Sequence, residues 1–333
     1  MKNQIKSVFL FAGVLMLVIG TVPINLHAQG LSNISGSFVD IGFGARPVAM
    51  GNAYTAVAAD EHGVYWNPAG LASLDSYITS FTHTNQLRMI EYNYVAVAAP
   101  LPGLPHGAGA TIISSGDETM RELSIHLGYA YQYGPVSAGI GLKYRSSTFG
   151  KNMYNDADYI VFEPDEISAG RMNQITGDAS GFGLDLGLLY KASDRLSLGL
   201  MLRDAVGSIN WNSANQNTEA PARGSYAEGV PTELIVGSGF QVRNNILVTA
   251  DFRPSIYSDT DHVVNLGAET RLLNLLALRA GTEQRINDIS DERYALGFGL
   301  NVGVLNNVRV RIDYAYLIQD LENTQRISLA IQF

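Results

Sequence analysis

The 333-residue chain contains no cysteine, which excludes disulfides, thiolate metal sites and a cysteine-linked lipid anchor together. Charged residues are scarce at 16%, and beyond the first twenty positions no uninterrupted apolar run is long enough to cross a bilayer as a helix. A net charge of −9 argues against nucleic acid as a partner, because that binding rests on phosphate neutralisation by Lys and Arg. The six histidines, His27, His62, His83, His106, His126 and His262, are scattered, with no pair at metal-ligand spacing. No metal or other cofactor is expected. A catalytic constellation is also missing: His126 near Ser124 is the nearest approach, and both share the small, polar face of one strand pattern.

What is present is a two-residue rhythm. In Gln325–Phe333, Ile327, Leu329, Ile331 and Phe333 alternate with Arg326, Ser328, Ala330 and Gln332; Tyr294–Val302 and Phe182–Tyr190 do the same. Successive strand side chains point to opposite faces, so each segment has one greasy face and one small or polar face. A globular strand is usually about five or six residues long, a tilted membrane strand roughly nine to eleven, and these segments belong to the longer class. Their polar faces carry Lys143 and Arg145, Asp251 and Arg253, and Arg309, Arg311 and Asp313. Unpaired charges are too costly for a dry protein core, which points to a wet lumen. In lipid every backbone polar group must be satisfied internally, and a closed barrel does this without edges. The expected fold is an all-β transmembrane antiparallel β-barrel of about fourteen strands with a small N-terminal plug.

The strands are predicted near 77–84, 92–99, 107–114, 123–132, 136–147, 181–191, 196–204, 232–241, 245–253, 262–271, 276–284, 293–302, 307–316 and 325–333, an even number as bacterial barrels require. Tyr133–Pro135, Ala192–Asp194 and Arg243–Asn244 read as tight turns, and Ser147–Gly181 and Ala205–Pro231 as long polar loops. Parity puts both loops on the outer face. The first carries Asp156, Asp158, Glu163, Asp165 and Glu166; it lacks EF-hand spacing and reads as a solvated acidic loop rather than a calcium site. Tyr129, Tyr131, Tyr144, Tyr190, Tyr314 and Tyr316 suit the interfacial girdle, beside the plain strand propensity of Tyr. Outer-membrane lipid is the expected surrounding, and the terminal Phe333 the expected signal to the barrel assembly machinery.

Lys2 and Lys6, the apolar stretch Val8–Gly20 and a cut after Ala28 read as a secretory signal, with an uncut anchor as the alternative. The domains are then residues 1–28 signal, 29–75 plug and 76–333 barrel. Phe38 to Leu71 does not alternate and is too small to form a core alone, so the lumen is its natural host. Within it Asn67 can cap a helix that Pro68 opens and Gly70 ends. Arg46 either pairs with an inward acid such as Asp185 or Asp251, locking the plug, or is solvated at the periplasmic mouth. Gly237-Ser238-Gly239 and Gly297-Phe298-Gly299 sit inside strands and suit close packing of plug against wall rather than a phosphate loop.

Two motifs in this stretch carry a resemblance. The string Gly44-Ala45-Arg46-Pro47-Val48-Ala49-Met50-Gly51-Asn52-Ala53 and the string Tyr65-Trp66-Asn67-Pro68-Ala69-Gly70-Leu71 resemble the opening of the PorV/PorQ family, outer-membrane barrels related to the FadL transporters. The Asn-Pro-Ala element of the FadL group falls on Asn67, Pro68 and Ala69, whereas Asn52 stands where a second glycine is expected. The resemblance implies a part in type IX protein secretion. PorV-type members collect cargo leaving the translocon through its C-terminal domain, and PorQ-type members act in related late steps. Three functions follow for comparison: an interaction protein that engages a translocon or cargo, a FadL-like transporter of hydrophobic small molecules, and an open porin, which a plug disfavours. The polar inward faces tilt the expectation toward interaction.

Overall fold

The computed structural model describes residues 38, 41–86, 88–103, 105–117, 119–150, 175–215, 221–257, 261–273, 275–286, 292–304, 308–320 and 322–333. The signal segment and the acidic residues Asp156 to Glu166 lie outside the described residues.

Among the described residues two short helices, α1 (Ala45–Ala49) and α2 (Gly63–Trp66), and a 3-10 helix (Pro68–Ser73) precede the strands. These are β1 (Ile78–Gln86), β2 (Ile90–Leu101), β3 (His106–Gly116), β4 (Met120–Tyr133), β5 (Val136–Phe149), β6 (Ile175–Lys191), β7 (Leu196–Asn215), β8 (Arg223–Gly229), β9 (Glu233–Arg243), β10 (Ile246–Arg253), β11 (Val263–Leu272), β12 (Leu276–Arg285), β13 (Arg293–Val304), β14 (Val308–Ile318) and β15 (Thr324–Gln332). Every pairing is antiparallel. β1 pairs with β15 and β6 with β7, so among the described residues fourteen strands close into a ring and β8 stands outside it, paired to β7 alone. The chain is thus an outer-membrane-type barrel. None of its described helices is long and apolar enough to cross a membrane; the strands do the crossing.

The greasy faces point outward. Phe81, Val95, Ile112, Leu127, Leu142, Leu266, Leu296 and Ile327 are all exposed on the barrel wall, where lipid covers them. Tyr77, Tyr129, Tyr131 and Phe333 mark its periplasmic rim, identified by the tight turns at 134–135 and 244–245. Phe333 stacks on Tyr77 at 5.9 Å, and their backbones exchange two 3.0 Å hydrogen bonds.

Two expectations are corrected. The stretch Ala205–Pro231 is not a loop: β7 runs on to Asn215 and β8 pairs back along it, Trp211 opposite Tyr226. The alternation persists there but its polarity inverts. Ser208, Asn210 and Asn212 face outward while Ile209 and Trp211 are buried, because this part of the sheet has left the membrane. A bulge separates the two halves: Asp204, at φ 48°, turns inward where Leu184 and Leu186 shift register. Secondly, the lumen is not a wet channel lined by solvated charges. Lys143, Asp185, Asp251, Arg279 and Asp313 are buried, because residues 41–74 fill the middle of the barrel.

Candidate functional site

Phe38 marks the outer end of the plug's path: its N–H donates to Glu122 and its ring lies 6.3 Å from Trp211. From there the chain descends to Ser73 near the periplasmic rim. α1 presses Ala45, Val48 and Ala49 onto Ala295, Ala315 and Leu317 of β13 and β14, and the Ala45 N–H donates to Ser328. Phe43, Tyr54, Tyr65 and Trp66 form an aromatic core with Tyr92 and Tyr94 of β2, and Tyr65 stacks on His126. Trp66 also donates its indole N–H to the Phe43 carbonyl.

The turn after α1 explains the motif Met50-Gly51-Asn52. Gly51, at φ 62°, lies with its Cα so close to β12 that a Cβ would come within 2.3 Å of the Thr282 nitrogen. Asn52 also has positive φ, 63°; asparagine visits that region more readily than other side chains, which is why it replaces the expected glycine. Its amide donates to Glu283 of β12. In the second motif Asn67 caps the 3-10 helix, its Oδ1 accepting from Ala69, with Pro68 in the first position. Gly70 does not end the turn, which continues to Ser73; it is glycine because a Cβ would meet the Ala58 carbonyl. The Asn67 amide donates to the carbonyls of Thr55, Leu188 and Leu200, joining two plug segments to β6 and β7. Asn67→Ala removes the cap and these bonds, and a loss of about 2 kcal/mol is expected in denaturant unfolding of the purified protein.

Arg46 is a lock, but with partners other than Asp185 and Asp251. Its guanidinium donates to Glu269 of β11 at 2.9 and 3.2 Å, and to Asp60 and Tyr54 of the plug. Glu269 continues to Arg279 of β12, Arg279 to Asp313 of β14, Asp313 to Arg311, and Arg311 back to Glu61 of the plug. Asp185 instead holds Lys143 at 2.8 Å, and Asp204 of the bulge takes Lys143 and Arg145. Asp251 accepts the backbone N–H groups of Tyr54 and Thr55. Glu269 and Arg279 were readable as inward residues beside Leu266 and Leu278, but only the plug's path shows whom they meet. The strand glycines Gly237, Gly239 and Gly297 give room to Thr55, Val57 and Ala49 of the plug.

Burial opposes ionisation of Asp60, but His62, Arg46 and Arg311 outweigh it and hold this carboxyl below the ordinary range. Its contribution to docking is therefore present above the unfolded carboxyl pKa and lost as pH falls through the depressed folded value. Thermal melting against pH should separate wild type from Asp60→Asn at neutrality and bring the two curves together in acid.

On the outer side of the plug lies a cavity of about 190 Å³, floored by Asn52, Thr55 and Trp66 and walled by outer strand residues including Gln86, Asp251, Arg253 and Asn265.

A model for a family of unknown function (DUF5723) matches residues 114–266. No curated protein matches the sequence. Among solved structures the CymD monoaromatic hydrocarbon channel is similar over 88% of this chain and 97% of its own, at TM-score 0.57 and 16% identity. The Pseudomonas putida toluene transporter TodX matches 87% and 97%, at 0.55 and 16%. A Pseudomonas aeruginosa FadL homologue matches 84% and 95%, at 0.54 and 12%. At such identities the likeness is one of fold: this chain shares the barrel architecture of FadL-family outer-membrane channels.

Proposed function

We propose that this chain is a plugged outer-membrane channel that admits small molecules from outside, with the segment 41–74 as its gate. The observation that carries this reading is the cavity between the plug's upper surface and the outer strand ends, held in a barrel of the same architecture as the toluene and monoaromatic hydrocarbon channels. The plug is seated on the wall by side-chain contacts, the Arg46–Glu269 ion pair, the Asn67 bonds and the apolar seams of α1 and the aromatic core, and a displaceable gate would have to break these together. Phe333, at the periplasmic rim, is the assembly signal in this reading. Swelling of proteoliposomes in small neutral solutes tests it: slow entry through wild type and fast entry through a variant with a loosened lock support a gate. Equal, negligible rates in both would overturn it.

A second reading has its own support. The two motifs at Gly44–Ala53 and Tyr65–Leu71 resemble PorV/PorQ proteins, and β6, β7 and β8 raise a sheet above the membrane on which an exported protein could dock. This reading makes the chain a non-enzymatic accessory of type IX secretion, with translocon subunits or cargo C-terminal domains as partners. Recovery of such proteins in a pull-down from outer membranes supports it, and their absence from an otherwise intact preparation argues against it.

A further inference from the structure

We propose that the turn between β11 and β12 is a lipid-anchoring site, inserted at the boundary of headgroups and acyl chains in the periplasmic leaflet; this goes beyond either reading of the barrel's function and holds under both. β11 ends on Leu272 and β12 begins on Leu276, and these two face each other across the hairpin. Leu273 and Leu275 lie in the turn itself. The turn belongs to the periplasmic rim, because the Arg271 N–H donates at 2.8 Å to the carbonyl of Asn245 in the tight turn that marks that rim. Leu273 is 95% exposed, Leu275 51% and Leu272 44%. Other turns at the rim are built differently, from Gly134-Pro135, Ser193-Asp194-Arg195 and Asn244-Asn245.

Two independent observations show what these leucines require. The first is backbone conformation: Leu273 has φ 52°, in the left-handed region that glycine and asparagine visit most readily and where leucine is strained. At its exposure the side chain recovers none of that cost within the protein, whereas an apolar medium outside the chain would return it. The second is continuity. Leu272 and Leu276 lie on the same outward side of their strands as Leu266 and Leu278, so the turn prolongs an apolar strip that lipid already covers. A protein partner or a second copy would have to displace lipid from Leu272 and Leu276 to reach the turn. This sector of the barrel also has no other anchor of the usual kind. Tyr77, Tyr129, Tyr131, Tyr133 and Tyr190 stand at the periplasmic ends of β1, β4 and β6, but β9 to β13 carry no tyrosine at that end. Interfacial anchors set the height and tilt of a spanning element, and the four leucines take that part where amphipathic rings are missing.

Because the chain has no cysteine, single thiols can be placed in an otherwise unchanged background: Leu273→Cys and Leu275→Cys in the turn, Leu266→Cys on the lipid-covered wall, and Asp194→Cys in a polar turn of the same rim. Each full-length variant is first matched to wild type in thermal melting. It is then placed in nanodiscs of phosphatidylethanolamine and phosphatidylglycerol, open to water on both faces, and reacted with a membrane-impermeant maleimide. The reactive thiolate is disfavoured in apolar surroundings, so the thiols at 273 and 275 should react about tenfold more slowly than the thiol at 194. A nitroxide on the same thiols reports what covers them. At 273 and 275 collisions with oxygen, which concentrates among acyl chains, should exceed collisions with a water-soluble nickel chelate, as at 266, and the reverse should hold at 194. Reaction at 273 and 275 as fast as at 194, or nickel outpacing oxygen there, would overturn the inference. So would slow reaction with neither oxygen nor nickel reaching the nitroxide, the signature of a protein contact such as a second copy.

Discussion

Replacing Glu269 by alanine is expected to lower stability by about 3–5 kcal/mol and to loosen the plug within an otherwise intact barrel. Glu269 is 2% exposed and stands between Arg46 of the plug and Arg279 of the wall. Removing a paired buried charge costs far more than the net worth of the pair, because the partners remain buried without compensation. Here two guanidinium groups lose their carboxylate at once. The surrounding network is balanced, with Arg46, Arg271, Arg279 and Arg311 against Asp60, Glu61, Glu269 and Asp313, so one deletion leaves an excess positive charge in the lumen. Arg271→Ala is the comparison: its side chain is 53% exposed, and a change below about 1 kcal/mol is expected despite its contact with the same carboxylate. Unfolding in denaturant gives the energies, and solute entry into proteoliposomes shows whether the plug has moved. Stability close to wild type in Glu269→Ala would mean that apolar packing alone seats the plug.

The barrel was legible because a membrane strand repeats one instruction for nine residues or more. Each lipid-facing position must be apolar, as Leu296, Phe298 and Leu300 show, and slippage by one residue would put Gly297 and Asn301 into lipid. The inverted half of β7 was illegible for the same reason. Its rule changes at Asp204, where the sheet passes from lipid to water, and Ser208, Asn210 and Asn212 then read as loop. The plug was recognisable as a unit because its sequence does not alternate, and Asn67-Pro68 announced a helix start. The identity of Arg46's partners was not: a pair such as Arg46 and Glu269 is separated by 223 positions, and nothing local distinguishes Glu269 from Asp185 or Asp251 as an inward acid. What chooses between them is the height at which α1 meets the wall, and that is set by contacts such as Gly51 against Thr282. Likewise the expectation of a wet lumen followed from charge alone. It placed the plug in the lumen but gave its acids no part: Glu61 pairs with Arg311 of the wall, and Asp60 with Arg46 of the plug itself.

Gly139→Ala should act on the seam between plug and wall while leaving the wall itself sound. Gly139 faces inward on β5, opposite Ala130 and Gly187, and its Cβ would come within 2.3 Å of the Ala69 nitrogen and 2.4 Å of the Pro68 carbonyl carbon. Both are backbone atoms of the 3-10 helix, so no side-chain rotation relieves the clash. Alanine suits a strand better than glycine, and the ladder around residue 139 gains rather than loses from the change. The strain must therefore be taken up by lifting residues 67–71, which breaks the Asn67 bonds to Leu188 and Leu200. A cost of about 1–3 kcal/mol is expected, together with faster solute entry and new protease cleavage in the plug, at unchanged strand content by circular dichroism. Gly303→Ala on β13 provides the contrast, since a Cβ there meets nothing within 4 Å and should leave both permeability and melting as they are. If Gly139→Ala also leaves them unchanged, the 3-10 helix does not bear on β5 in the membrane, and the gate must be sought along β11 and β12 where Glu269 holds Arg46.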